Sequence, residues 1–147
     1  MATRMVYAFN WYDVGAVLPL IGSGLRASPI ALGTVLASFL VGVGLFQLPA
    51  GLAAVRFGSR AVSLAGIGGM GAAAVASGFA PNWELLALTR FAAGVGAAFF
   101  FAPALSLIAS YYPPGRRGPI IGLYNGGFSV GGAAGLFVGA FLGTSYG

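Results

Sequence analysis

The stretch GLAAVRFGSR, Gly51 to Arg60, places Arg56 and Arg60 within five positions of each other, directly behind an apolar run. It belongs to a chain of 147 residues that is 59% hydrophobic and only 6% charged. Soluble globular domains carry roughly a quarter of their residues as charges, so this composition describes a membrane protein. A polar turn bounded by arginines and flanked by apolar segments then reads as the link between two membrane-crossing helices, with the arginines holding it on one side.

Working outward from that turn, five apolar segments separate, at about Met5–Leu25, Ile30–Ala54, Ala61–Phe79, Glu84–Ser110 and Pro119–Gly143. Each is long enough to cross a hydrocarbon core of about 30 Å at about 1.5 Å per residue. Nothing alternates with the period of two that a transmembrane barrel requires. The expected fold is an all-α polytopic membrane protein forming a single transmembrane domain over residues 1–147. RAS, RFGSR, APNW and YYPPGRRG link the spans, and links this short make neighbouring helices antiparallel.

Arg4, Arg56, Arg60, Arg116 and Arg117 then fall on one side and Arg26 on the other, with Arg90 inside a span. The positive-inside rule makes the N-terminus cytoplasmic, and the cell membrane is the expected location. The opening MATRMVYAFNWYDVGAVLPL is read as a retained first span rather than a signal peptide, because Asn10, Tyr12 and Asp13 interrupt its core.

Several function classes are set aside by residue inventory. The net charge of +5 is spread singly or in pairs, unlike the basic runs that bind nucleic acid. With no cysteine, no histidine and two acidic residues, the chain has no catalytic triad and no metal site. No enzyme activity, catalytic residue, metal or cofactor is expected. GIGGMG, Gly66 to Gly71, matches a dinucleotide fingerprint only in letters; inside an apolar span it is helix-packing glycine.

Internal similarity links the second and fifth spans: Gly33 pairs with Gly122, Phe39 with Phe128, Val41 with Val130 and Gly42 with Gly131. This makes the chain two three-helix units, the second lacking its last helix. Units of three insert with opposite topology, an arrangement found in secondary transporters.

Four motifs carry a resemblance. GLAAVRFGSR, with Gly51, Arg56, Gly58 and Arg60 in register, follows QLPAG and is similar to the G-x-x-x-D-R-x-G-R-R loop between the second and third helices of the major facilitator superfamily. LALTRFAAGVG resembles that family's L-x-x-x-R-x-x-x-G-x-G through Leu86, Arg90, Gly94 and Gly96. YYPPGRRG resembles its link to the fifth helix. The fifth span is similar to the family's antiporter signature at Gly122, Gly131, Gly135 and Gly139. Val55 stands at the acidic position of the first motif, Ser59 at its first closing arginine, and Leu136 and Ala140 at the proline and last glycine of the fourth.

The resemblance implies the first five helices of a partial major facilitator fold, built of inverted three-helix repeats. It also implies a secondary active transporter of a small molecule, working by alternating access in a lipid bilayer. Its missing C-terminal half supplies the rest of the cavity, so the chain is read as a fragment. Arg56 and Arg60 then belong to a cytoplasmic gate that lacks the usual carboxylate.

Asp13 and Arg90 are ionisable residues deep inside spans, where a charge costs at least about 2.5–3.5 kcal/mol. They are expected to pair or to function, Asp13 coupling transport to protons and Arg90 as its partner or as a contact for a substrate anion. Asn10 and Asn125, beside Tyr124, are further candidates for the cavity, whereas Glu84 reads as a solvated boundary residue. The glycines at 127, 131, 135, 139 and 143 form a ridge for close helix contact. The alternative reading is a small non-transporting membrane protein that self-associates through this ridge.

Overall fold

The computed structural model describes residues 3–5, 7, 8, 11, 15, 22–24 and 27–146, with side chains described to residue 141. The described residues before position 25 are helical. Four continuous helices follow: α1 over Pro29–Phe57, α2 over Ser59–Ser77, α3 over Trp83–Tyr111 and α4 over Pro114–Tyr146. All four are long and apolar enough to cross a membrane.

Helix ends follow local chemistry. Pro29 and Pro114 open α1 and α4, where a residue without an N–H loses nothing and its fixed φ favours the first turn. α4 therefore starts inside YYPPGRRG, five residues before the apolar run at Pro119. Asn82 caps α3 by accepting a 2.9 Å bond from the Leu85 N–H on its Oδ1. Gly58 joins α1 to α2 at φ 86°, ψ 134°, a conformation that side-chain-bearing residues avoid. Pro49, Pro103 and Pro119 lie inside helices, as membrane helices tolerate.

Packing divides the chain into two compact units, Gly33–Gly118, and Met1–Leu32 with Pro119–Gly147. In the first, α3 is the centre, and two glycines decide its contacts. Gly94 and Gly96 are two positions apart, about 200° around a helix, so they face opposite partners. A Cβ on Gly94 would strike the backbone of Phe39 and Val43 in α1; one on Gly96 would strike Gly66 and Met70 in α2. Gly42 and Gly66 reciprocate from α1 and α2. Within GIGGMG it is Gly66 that packs, while Gly68, Gly69 and Gly71 meet nothing within 4 Å. Ser77 Oγ lies 3.0 Å from Thr89 Oγ1 and adds a polar tie between α2 and α3.

In the second unit, α4 lies against the N-terminal segment. A Cβ on Gly131 would strike the Met5 backbone, so the two main chains touch. Gly127, Gly131, Gly135 and Gly139 are all buried, while Gly122 and Gly126 on other faces are exposed. These four glycines of the ridge are thus turned into the fold.

The two units repeat one contact. Gly42 and Gly131 are 89 positions apart, as are Met5 and Gly94; Gly42 touches the α3 backbone at Gly94, and Gly131 touches the Met5 backbone. The internal similarity between the second and fifth spans is therefore matched by packing, helix on helix at equivalent residues.

Candidate functional site

Arg4 is the site residue that sequence reasoning missed. As the cation flanking the first apolar run it is expected at the cytoplasmic face, but it is 5% exposed. Arg4, Tyr7 and Trp11 follow the i, i+3, i+7 spacing that brings side chains onto one helix face. Tyr124, Asn125 and Phe128 meet them from α4. The Arg4 guanidinium carbon lies 4.7 Å from the Tyr7 ring centroid, 5.0 Å from Tyr124 and 4.6 Å from Phe128. Such distances give cation–π attraction, strongest where water is excluded. Trp11 closes the cluster edge-on to Phe128 at 6.0 Å and tilted on Tyr7 at 5.7 Å.

Two polar groups complete the cluster. Arg4 Nη2 donates to Asn125 Oδ1 over a long 3.4 Å. The Tyr124 hydroxyl is buried and has no hydrogen-bond partner among the described residues, although its residue is only 8% exposed. Buried hydroxyls are satisfied in the great majority of cases, so this one asks for an explanation.

Asn125 is brought to this cluster, but the other sequence candidates are distributed differently. Arg90 is buried in α3 at 6% exposure, one turn before Gly94. Asp13 and Asn10 lie outside the described residues. Glu84, in the first turn of α3, is exposed.

The loop motif lies at the other unit's surface. Arg56, Gly58 and Arg60 are exposed and Gly51 is half-buried, and the Arg56 guanidinium rests 5.3 Å from the Phe57 ring. Val55, at the position where an acid is expected, is 88% exposed. A cavity of about 160 Å³ beside it is lined by Gly51, Val55, Ser59, Pro103 and Ser106, and Ser59 Oγ donates to Ser106 Oγ at 3.4 Å. Arg117 is held by donating from Nε to the Tyr112 carbonyl at 2.9 Å.

Known proteins agree with the architecture. The family model described as Major Facilitator Superfamily matches residues 1–147. Among curated proteins, a puromycin resistance protein of Streptomyces alboniger is 34% identical over 99% of this chain and 29% of its own length. A gallate transporter of Pseudomonas putida is 29% identical over 94% of this chain and 31% of its own. A 4-hydroxybenzoate transporter of the same species is 28% identical over 91% and 30%. The chain thus spans a little under a third of the length of these relatives.

Proposed function

The chain belongs to the major facilitator superfamily, and from that premise we propose that it forms the N-terminal part of a secondary active transporter for a small organic solute. It is an integral membrane protein. The remaining helices of the transporter, a second half facing this one across the cavity, complete the solute path. The observation that carries the reading is the match over the whole chain, joined to the buried Arg4 and Arg90, the latter inside a membrane-crossing helix. Intramembrane ionisable residues are expensive and mark solute or ion pathways.

In this reading the transporter works by alternating access about a site near the bilayer midplane. The N-terminus and the α1–α2 turn face the cytoplasm of the cell membrane, where Arg56 and Arg60 contribute to a gate. With Val55 in place of a carboxylate, that gate draws its counter-charges from outside the turn. Asp13 couples the cycle to protons, since a carboxyl that gains and loses a proton in each half-cycle ties solute movement to the gradient. Arg90 helps to hold that carboxyl ionised or contacts the solute.

The relatives named for gallate, 4-hydroxybenzoate and puromycin resistance support small organic solutes as the cargo class. The test is flux into proteoliposomes holding the complete protein, with and without an imposed pH gradient. Gradient-driven accumulation is expected for the parent. Asp13→Asn is expected to abolish accumulation while leaving downhill exchange; accumulation by that variant at the parental rate ends the coupling role.

A further inference from the structure

The two basic links of the Gly33–Gly118 unit meet at one end of it. Ser59 Oγ donates to Ser106 Oγ at 3.4 Å, which sets the α1–α2 turn against the last turns of α3, and the α3–α4 link follows at once. Arg56, Arg60 and Arg116 are exposed there and Arg117 is half-buried. Phe57, Tyr111 and Tyr112 are exposed beside them. All of these stand at or next to the ends of membrane-crossing helices, where aromatic side chains sit at the level of lipid headgroups.

No carboxylate of this unit answers those arginines. Its acidic residue is Glu84, in the first turn of α3, and the stretch of helix from there to Ser106 is about 33 Å long. Arginines at helix ends set topology by charge alone; what makes this end a site is the cavity of about 160 Å³ that opens beside them. Val55 and Ser59, which line it, immediately precede Arg56 and Arg60. Its walls are apolar at Gly51, Val55 and Pro103, and its hydroxyls are those of Ser59 and Ser106. A single water needs about 10–15 Å³ of such space, so the cavity takes a larger group.

We infer that this end of the unit binds an anionic phospholipid, its phosphate held by Arg56 and Arg60 beside the two serine hydroxyls, its glycerol and first chain carbons against Val55 and the apolar wall. The inference goes beyond the transport reading and does not depend on it. Arginine forks match phosphate oxygens bidentately. Arg56 lies 5.3 Å from the Phe57 ring, and a guanidinium stacked on a ring still donates in its own plane. A zwitterionic lipid brings an ammonium group to the same arginines, which disfavours it. Basic pockets between membrane helices hold anionic headgroups in this way. The lipid phosphate is then a counter-charge for Arg56 and Arg60 from outside the turn.

The experiment is native mass spectrometry of the complete protein in detergent, titrated with phosphatidylglycerol or with phosphatidylcholine of the same chains. Saturable phosphatidylglycerol binding, at least about tenfold tighter than phosphatidylcholine, is expected. One arginine near an anionic headgroup is worth about fivefold, so the double variant Arg56→Gln, Arg60→Gln is expected to weaken phosphatidylglycerol about 25-fold. Should it fold poorly, Val55→Asp decides. That variant keeps every arginine and sets a carboxylate against them from within the turn, at an expected loss of about fivefold. Ser106→Leu fills the cavity and changes no charge, and it is expected to weaken phosphatidylglycerol by a similar factor.

Equal affinity for the two lipids overturns the inference, as does parental phosphatidylglycerol affinity in Val55→Asp. Parental affinity in Ser106→Leu reduces the end to diffuse surface charge and overturns the built site. Displacement of the lipid by an equal concentration of inorganic phosphate makes it a site for a free anion, which contradicts the lipid assignment. Absence of saturable lipid in the complete protein assigns the arginines to acidic groups of the remaining helices, and that too overturns it.

Discussion

At one crossing Gly42 lies on Gly94 among Ala93, Val35 and Phe39; at the other Gly131 lies on Met5 among Arg4, Tyr124 and Phe128. The backbone arrangement is repeated and the chemistry is not. In a membrane, helices gain little by hiding apolar surface from lipid, so close backbone contact at glycine does the holding. Side chains around such a contact are then free to differ. In the Gly33–Gly118 unit they are Ala93, Val35 and Phe39, with the buried Arg90 one turn before Gly94; in the other unit a guanidinium and a phenol stand at the crossing itself. What the difference teaches is that the scaffold resides in the glycine contacts, and that a buried arginine stands near each of them.

A shared scaffold makes Gly94→Val and Gly131→Val alike in effect. Each drives side-chain atoms into a facing backbone that has no rotamer with which to yield, at an expected cost of about 3 kcal/mol. Thermal melts in detergent measure it, and a silent Gly131→Val beside a damaging Gly94→Val breaks the equivalence of the two crossings.

The aromatics sharpen the contrast at smaller amplitude. Phe46 stacks edge-on with Phe91 at 6.2 Å, as Trp11 does with Phe128. Phe46→Leu and Phe128→Leu are each expected to cost about 1 kcal/mol of stability, the worth of such ring pairs. Solute flux is expected to survive the first and fail in the second; equal flux in both variants places Phe128 with the scaffold. Smallest is Ser77→Ala, which removes the tie to Thr89. It is expected to cost about 0.6 kcal/mol, typical of hydrogen bonds between membrane helices, with flux unchanged.

Much of the fold was legible from the sequence because its signals are local. Apolar runs and the arginines between them gave the four continuous helices, and the similarity of the second and fifth spans has a counterpart in the repeated crossing, whereas of the GIGGMG glycines read as packing residues Gly66 alone meets a neighbour. Helix ends were less legible, since Pro114 opens a helix within what composition alone marks as a link. The burial of Arg4 was not legible. Counted along its own segment it flanks an apolar run, and only the register of α4 against Met5 carries it beside Tyr124 and Phe128. The i, i+3, i+7 spacing of Arg4, Tyr7 and Trp11 was the available signal, but spacing says nothing of the helix that lies opposite. For the same reason Asn125 could be named as polar but not as the acceptor of an Arg4 hydrogen bond.

The most direct test is Arg4→Met in the complete protein, with melting temperature and solute flux measured on one preparation. Methionine keeps much of the arginine's length, and the equivalent crossing is stable with alanine at that position. A melting temperature at or above the parent's together with lost flux is the predicted result. Loss of the fold would make Arg4 a structural cation, and parental flux in a folded variant would remove it from the solute path; either contradicts the division between scaffold and site.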